Sequence, residues 1–251
     1  MKQKHTITYF ISIVFMLLFC VSVNAQNDSI ISTPNDSLKV KLKYGLRLGG
    51  DLGKLIRSFA DEDYTGFEIS GDFRLKKHLY VAGEIGIEEK NTINESLDNT
   101  TDAPTLDITT KGSYIKGGVD YNMYINWLDM DNMVYSGFRI GASSFSHDLN
   151  SFRVYSINQY WTSQFSSTEK QEFNGLTAFW AELILGIKVE LLNNLYLGLN
   201  AQFKILASET VPNGFENVYI PGFNKTYDTS SIGVGYSYTL SYRIPLYKRS
   251  K

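Results

Sequence analysis

Between Lys41 and Tyr247 the chain alternates apolar and polar residues in eight segments, the period-two repeat of strands whose two faces meet different surroundings. In KLKYGLRLGG, Leu42, Tyr44, Leu46 and Leu48 oppose Lys43, Gly45, Arg47 and Gly49. GFEISGDFRL sets Phe67, Ile69, Phe73 and Leu75 against Glu68, Ser70, Asp72 and Arg74, and LYVAGEIGIE sets Leu79, Val81, Ile85 and Ile87 against Tyr80, Glu84, Gly86 and Glu88. The same alternation runs through KGSYIKGGVDYNMY, MVYSGFRIGASS, LTAFWAELILGIKVEL, the stretch from Leu195 to Ile205, and SIGVGYSYTLSYRIPLY. Eight strands are predicted.

Their connections alternate in length. Lys76-Lys77-His78, the WLDMDN region and Asn193-Asn194 are short links of the hairpin kind. The others are long: Asp51 to about Tyr64, Lys90 to Thr109, about Phe145 to Asn174, and Ala207 to Thr229. A soluble sandwich has no reason to gather its short turns at one end, whereas a bacterial outer-membrane barrel has short periplasmic turns and long outer loops. The expected fold is therefore all-β: an eight-stranded antiparallel up-and-down transmembrane β-barrel with four long outer loops.

Direction matters, because a soluble barrel would turn its leucines inward. The polar faces carry Lys43, Arg47, Arg74, Lys116, Arg139, Lys188, Lys204 and Arg243, with Glu68, Asp72, Glu84, Glu88, Asp120, Glu182 and Glu190. The two signs nearly balance, so these groups can pair inside a narrow barrel, which is where buried charge is tolerable. Eight strands enclose a space that side chains just fill. A plugged lumen held by Arg47, Glu68, Asp72, Arg74, Glu84, Lys116, Asp120, Arg139, Glu182, Lys188 and Arg243 follows, with the leucines facing lipid. Tyr121, Tyr124, Trp127, Tyr80, Tyr196, Tyr242 and Tyr247 lie near the short-turn end and suit an interfacial girdle, although aromatic residues favour strands in any case.

The N-terminus adds an address. Lys2 and Lys4 precede an apolar run from Ile7 through Val21, and Val23 and Ala25 supply small residues before Gln26. That is a secretory signal peptide, expected to be cleaved after Ala25. Phe19 before Cys20 is wrong for a lipobox, and removal of the chain's one cysteine leaves neither disulfide nor thiolate site. Residues 26–39 read as a flexible periplasmic tail and 40–248 as the barrel. A net charge of −2 gives nucleic acid no basic face to bind.

GFEISGDFRLKKHLYVAGEIG, KGSYIKGGVDYNMYINWLDMDNMVYSGFRIGASSFS, and YIPGFNKTYD followed by GVGYSYTLSYRIPLY carry a resemblance. Over nearly the whole expected mature chain the sequence resembles an uncharacterised outer-membrane β-barrel family of Gram-negative bacteria, a domain of unknown function. The resemblance implies a small barrel in the cell outer membrane and brings no activity, ligand or site residues. Many such barrels end on an aromatic residue, whereas here KRSK follows Tyr247.

Candidate chemistry is sparse. His147 follows Ser144 and Ser146 and precedes Asp148, but a hydrolase needs a base within reach of its nucleophile and a group orienting it. Neighbours on a strand point to opposite faces. His78 and His147 match no metal-ligand spacing. Asp61-Glu62-Asp63 offers oxygens for a divalent cation, or simply a solvated loop tip. Tyr160, Trp161, Tyr219, Phe223 and Tyr227 are outer-loop recognition candidates, or residues that pack loops together. Ser29 and Ser37, each in an Asp-Ser-aliphatic triplet, are candidate O-glycosylation sites.

The sequence thus favours a non-enzymatic, cofactor-free, monomeric envelope protein for surface interaction or membrane integrity. Outer-membrane lipid and the barrel insertion machinery are its expected partners. Three alternatives stay open. A narrow channel or small-ligand transporter needs Arg47, Arg139, Glu84 and Glu182 along a continuous path. An outer-leaflet lipid enzyme needs His147 beside a serine and an acid. A soluble lipocalin-like binder needs the apolar faces turned inward.

Overall fold

The computed structural model describes residues 42–94, 106–124, 131–153, 166–167, 169–226 and 230–249. The eight segments form β1 (Leu42–Asp51), β2 (Tyr64–Arg74), β3 (Leu79–Asn94) and β4 (Leu106–Asn122). They continue as β5 (Met133–Arg153), β6 (Gln171–Leu192), β7 (Leu195–Glu209) and β8 (Ile232–Arg249). Each strand pairs antiparallel with the next, and β1 pairs with β8, from Leu42 opposite Arg249 to Asp51 opposite Thr239. The sheet is closed. No helix among the described residues is long and apolar enough to cross a membrane.

Closure decides what each face meets. Ile85, Ile115, Ile140, Leu183 and Leu185 point outward and are each more than half exposed, whereas Arg47, Glu68, Asp120, Arg139 and Glu182 point inward and are buried. This is the layout of a transmembrane barrel and the inverse of a lipocalin-like one. Left in water, so wide an apolar belt would drive association.

The strands outrun that belt. β3 continues to Asn94 and β5 to Arg153, past outward-facing Glu89, Ser144 and Ser146. The loops that the sequence begins at Lys90 and Phe145 therefore start later. A ladder continues as long as two backbones satisfy each other's donors and acceptors, whatever their side chains. One departure from strict alternation lies at a bulge between Tyr44 and Gly45, where Tyr44 is buried with its inward neighbours instead of facing out.

The ends Arg74 and Leu79, Asn122 and Met133, and Leu192 and Leu195 gather at one end of the sheet, the last pair joined through Asn194 at φ 70°. At the other end β1 leads into the helix α1 (Leu52–Ala60), capped by the Asp51 carboxylate, which accepts from the Gly53 N–H. Inside the wall, glycines give aromatic rings a flat bed. A Cβ on Gly141 would lie 2.3 Å from the Trp180 ring, and one on Gly86 2.4 Å from that of Tyr114.

Candidate functional site

The lumen is built in layers of paired charge. At the short-turn end Asp131 joins Arg74, at 2.6 Å, to Arg243. Arg243 also reaches Glu190 at 3.4 Å and donates to the Asn194 side chain at 2.8 Å. Above this, Arg47 lies between the rings of Tyr80 and Tyr196, 4.9 and 5.1 Å from their centroids. Asp72 holds both Arg47 and Lys188 at 2.6 Å. Arg139 pairs with Asp120 at 2.8 Å and Glu84 at 3.6 Å. Lys116 bridges Glu84, Glu68 at 3.3 Å and Glu182 at 4.0 Å. Each of these ions thus has an opposite charge in reach, the condition for keeping it ionised away from water.

All eleven residues that the alternation assigns to the lumen lie there. Glu88, Glu190 and Lys204 sit on the same inward faces and join the network, so period two already marks them. Asp131 comes from a connection without a period, and no sequence pattern announces it, whereas Lys54 comes from α1, whose spacing is helical and not period two. Tyr80 and Tyr196 correct the girdle: both are buried beside Arg47, while Tyr121 and Tyr242 do face outward. Trp127 and the Tyr247 side chain lie outside the described residues. A cavity of about 20 Å³ among Arg47, Asp72, Glu84, Arg139 and Lys188 has the size of a single water site.

The long-loop end is stoppered. Residues 210–226 fold back into the mouth, where Tyr219–Ile220 pairs with Asn224–Lys225 in a two-residue ladder. Ile220 and Phe223 pack with Tyr114, Phe145, Leu176, Ala178 and Trp180 in an apolar cluster inside the barrel. Glu88 secures the far wall, accepting from Tyr219 Oη at 2.8 Å, the Gly222 N–H at 2.9 Å and Tyr64 Oη at 3.1 Å, and pairing with Lys54 from α1. Lys204 donates to the Gly222 carbonyl at 2.6 Å. Tyr219 and Phe223 are buried, packing their loop into the mouth: a carboxylate partner holds Tyr219 inward and the apolar cluster holds Phe223. Tyr160, Trp161 and Tyr227, like Ser29, Ser37 and the segments 1–25 and 26–39, lie outside the described residues.

Beyond the apolar belt, His147 faces inward and Ser144 and Ser146 face outward, so strand geometry separates base from nucleophile. Both ring nitrogens are occupied. The Thr110 hydroxyl lies 2.7 Å from Nδ1, and Asn217 Oδ1 lies 2.8 Å from Nε2, which fits a neutral ring donating from Nε2. Asp148 pairs outside with Lys111 at 2.7 Å. His78 stands apart from this group, its Nδ1 2.9 Å from the Asn122 carbonyl. Asp61 is shared between Arg57 and Lys90, each at 3.3 Å. Among the described residues no cluster of three or more His, Cys, Asp or Glu is arranged to hold a metal.

Burial pushes the His147 imidazole below its ordinary value of 6.5, with the Asn217 hydrogen bond and Asp148 pulling partly back. An unfolded loop takes up its proton first as pH falls, so this contribution to stability is full above 6.5 and lost below it. Amide protection factors across residues 210–226, with the pH dependence of intrinsic exchange divided out, are thus expected to fall between pH 7.5 and about pH 5, and His147→Gln to flatten that dependence. Equal slopes in both proteins would rule the histidine out as the cause.

No curated protein matches the chain. Among solved structures it is similar to Ail, the attachment invasion locus protein of Yersinia pestis, at 10% identity and a TM-score of 0.39, over 80% of this chain and 97% of that one. It is also similar to a major outer membrane protein from Thermus thermophilus, at 13% identity and a TM-score of 0.44, over 80% of this chain and 98% of that one. A family profile described as a domain of unknown function, DUF6048, matches residues 6–249, and the chain belongs to that family.

Proposed function

We propose that this protein resides in the cell outer membrane as a monomeric, non-enzymatic barrel whose lumen is plugged by paired charges. Its work is then done at the outer surface or as part of the wall, among outer-membrane lipids and after delivery by the barrel insertion machinery. One observation carries the reading: the apolar belt faces out while Arg47, Asp72, Lys116, Arg139 and Glu182 are buried and paired within. Arg47, Arg139, Glu84 and Glu182 are each tied to a neighbour of opposite charge, which favours a plug over a continuous path. The separation of His147 from Ser144 and Ser146 favours a non-enzymatic role.

Fractionation tests residence. The protein is expected with the outer membrane, and its unheated gel band is expected to migrate apart from the boiled one. Recovery in soluble periplasm would overturn the assignment. Planar-bilayer recording tests the plug: the purified barrel is expected to give no stepwise conductance, and regular unitary steps would show a path through the lumen.

A further inference from the structure

The wall has a lateral seam. β1 stops pairing with β2 at Gly50 opposite Ile69, and with β8 at Asp51 opposite Thr239. Above those points β8, from Ile232 to Tyr238, pairs only with β7, and β2, from Tyr64 to Glu68, only with β3. Two strand edges therefore face each other without a ladder between them. Unpaired edges are reactive features that folds cover or cap.

Here side chains do the capping, and most come from α1 or its flanks. The Tyr238 N–H donates to the Asp51 carboxylate at 3.3 Å, and the Gly66 N–H to Ser58 Oγ at 2.8 Å. Ser58 Oγ lies 3.2 Å from the Gly66 carbonyl, and Asn224 Nδ2 donates to the Val234 carbonyl at 3.2 Å. Arg57 stacks 3.9 Å over the Tyr64 ring. A pocket of about 210 Å³ lies behind the helix, and its lining mixes inward residues (Glu68, Gln202, Lys204) with outward ones (Val234, Tyr236). Its walls are thus drawn from both faces of the sheet at the seam.

The orientation of α1 is the second observation. Lys54, Arg57 and Ser58 turn to the barrel, whereas Leu52, Leu55, Ile56 and Phe59 recur at the spacing of one helix face. No residue of the helix is buried, Ile56 is 65% exposed and Phe59 91%. An amphipathic helix that docks by its polar side leaves its apolar side to another medium. On this wall that medium is at hand, because the seam is flanked by Phe67 on β2 and by Ile232, Val234, Tyr236 and Tyr238 on β8, all outward and exposed. The apolar face of α1 continues the belt.

We propose that α1 is an interfacial helix that stoppers this lateral opening with its apolar face seated in the acyl region of the outer leaflet. The occupant of that face is lipid. Arg57 and Lys54 sit on the barrel side of the helix, so no charge is carried into the acyl layer. The seam is then a hydrogen-bonded wall below and a helix-in-lipid closure above, with the pocket one side chain away from the bilayer. This rests on the membrane residence proposed above, and the test separates the two.

In a Cys20→Ser background, single cysteines at Phe59, Ile56 and Ile85 are labelled with a small environment-sensitive fluorophore, and the full chain is refolded into vesicles containing lipids brominated on their acyl chains. Residue 85 reports the belt, and residues 59 and 56 report α1. Quenching at 59 and 56 of about half that at 85 or more is expected for a helix at the headgroup–acyl boundary. Strong quenching at 85 with none at 59 and 56 would overturn the interfacial helix and leave the membrane barrel standing. No quenching at any of the three would overturn both.

Discussion

Asp72→Ala is expected to destabilise the refolded barrel by about 3–5 kcal/mol, the usual consequence of removing one partner from a buried ion pair. Asp72 is the shared acceptor of Arg47 and Lys188, both at 2.6 Å, and it is 5% exposed. Its loss leaves two cations facing each other in a packed lumen. Backbone rearrangement offers little relief, since both sit on continuous strands of a closed sheet. The readout is the urea midpoint for vesicle-inserted protein, with the heat-modified gel shift as a second measure. Asp72→Asn keeps the shape and removes the charge, so a comparable loss would assign the effect to charge. Exchanging Arg47, Asp72 and Lys188 together for Met, Leu and Met is expected to recover most of it, because uncharged replacements of a whole buried cluster are often tolerated. An unchanged midpoint in Asp72→Ala would mean that water reaches the lumen freely.

Trp180→Ala carries the second large effect, also about 3–5 kcal/mol by the precedent of large aromatic truncations in packed interiors. The indole is 1% exposed, lies edge-on to Phe223 with centroids 6.1 Å apart, and donates from Nε1 to Glu182 at 2.7 Å. It also fills the bed made by Gly141. Truncation removes the floor beneath the mouth stopper and leaves the Glu182 carboxylate short of a donor. Two readouts are expected to move together: the unfolding midpoint falls, and protease cuts within 210–226 become faster. If cutting accelerates while the midpoint holds, the stopper opens independently of the barrel. If neither changes, the apolar cluster contributes nothing to closure.

The barrel was legible because two surroundings of opposite polarity impose period two along every strand, and closure extends that constraint to all eight, the bulge at Tyr44 being a local departure. Leu183 out and Glu182 in are consequences of one another. Where the chain leaves the ladder, that constraint ends. Tyr219 and Phe223 sit in a segment with no period, and only a three-dimensional partner, Glu88 for one and Trp180 for the other, turns them inward. Asp131 entered the charge network by the same route. Other features are readable in the pattern itself. Tyr80 and Tyr196 occupy polar-face positions, so alternation already placed them inside, and nearness to a turn gave depth without direction. Asp51 before Leu52, Leu55, Ile56 and Phe59 has the form of a capped amphipathic helix, set within a stretch whose polar residues suggested only a loop. The bulge at Tyr44 has its mark on the partner strand, where Pro245 stands opposite Gly45.

The pairing of β1 with β8 also fixes the order in which this molecule can be completed. Those strands stand at opposite ends of the described chain, and their contact, Leu42 to Arg249, spans nearly all of it. Every other ladder joins sequence neighbours and can form locally, so closure is the one step that must wait for the final strand. Contacts of such separation are the slow ones, because loop entropy is lost before they form. The joint is also short on its upper side, where β1 ends at Asp51. By loop entropy, the joining of the first and last edges is therefore the costliest single contact in the sheet. The molecule is in this sense a circle cut at one place, and a circular permutant opened at Asn193–Asn194, with the old ends tethered, would turn its slowest contact into a local one.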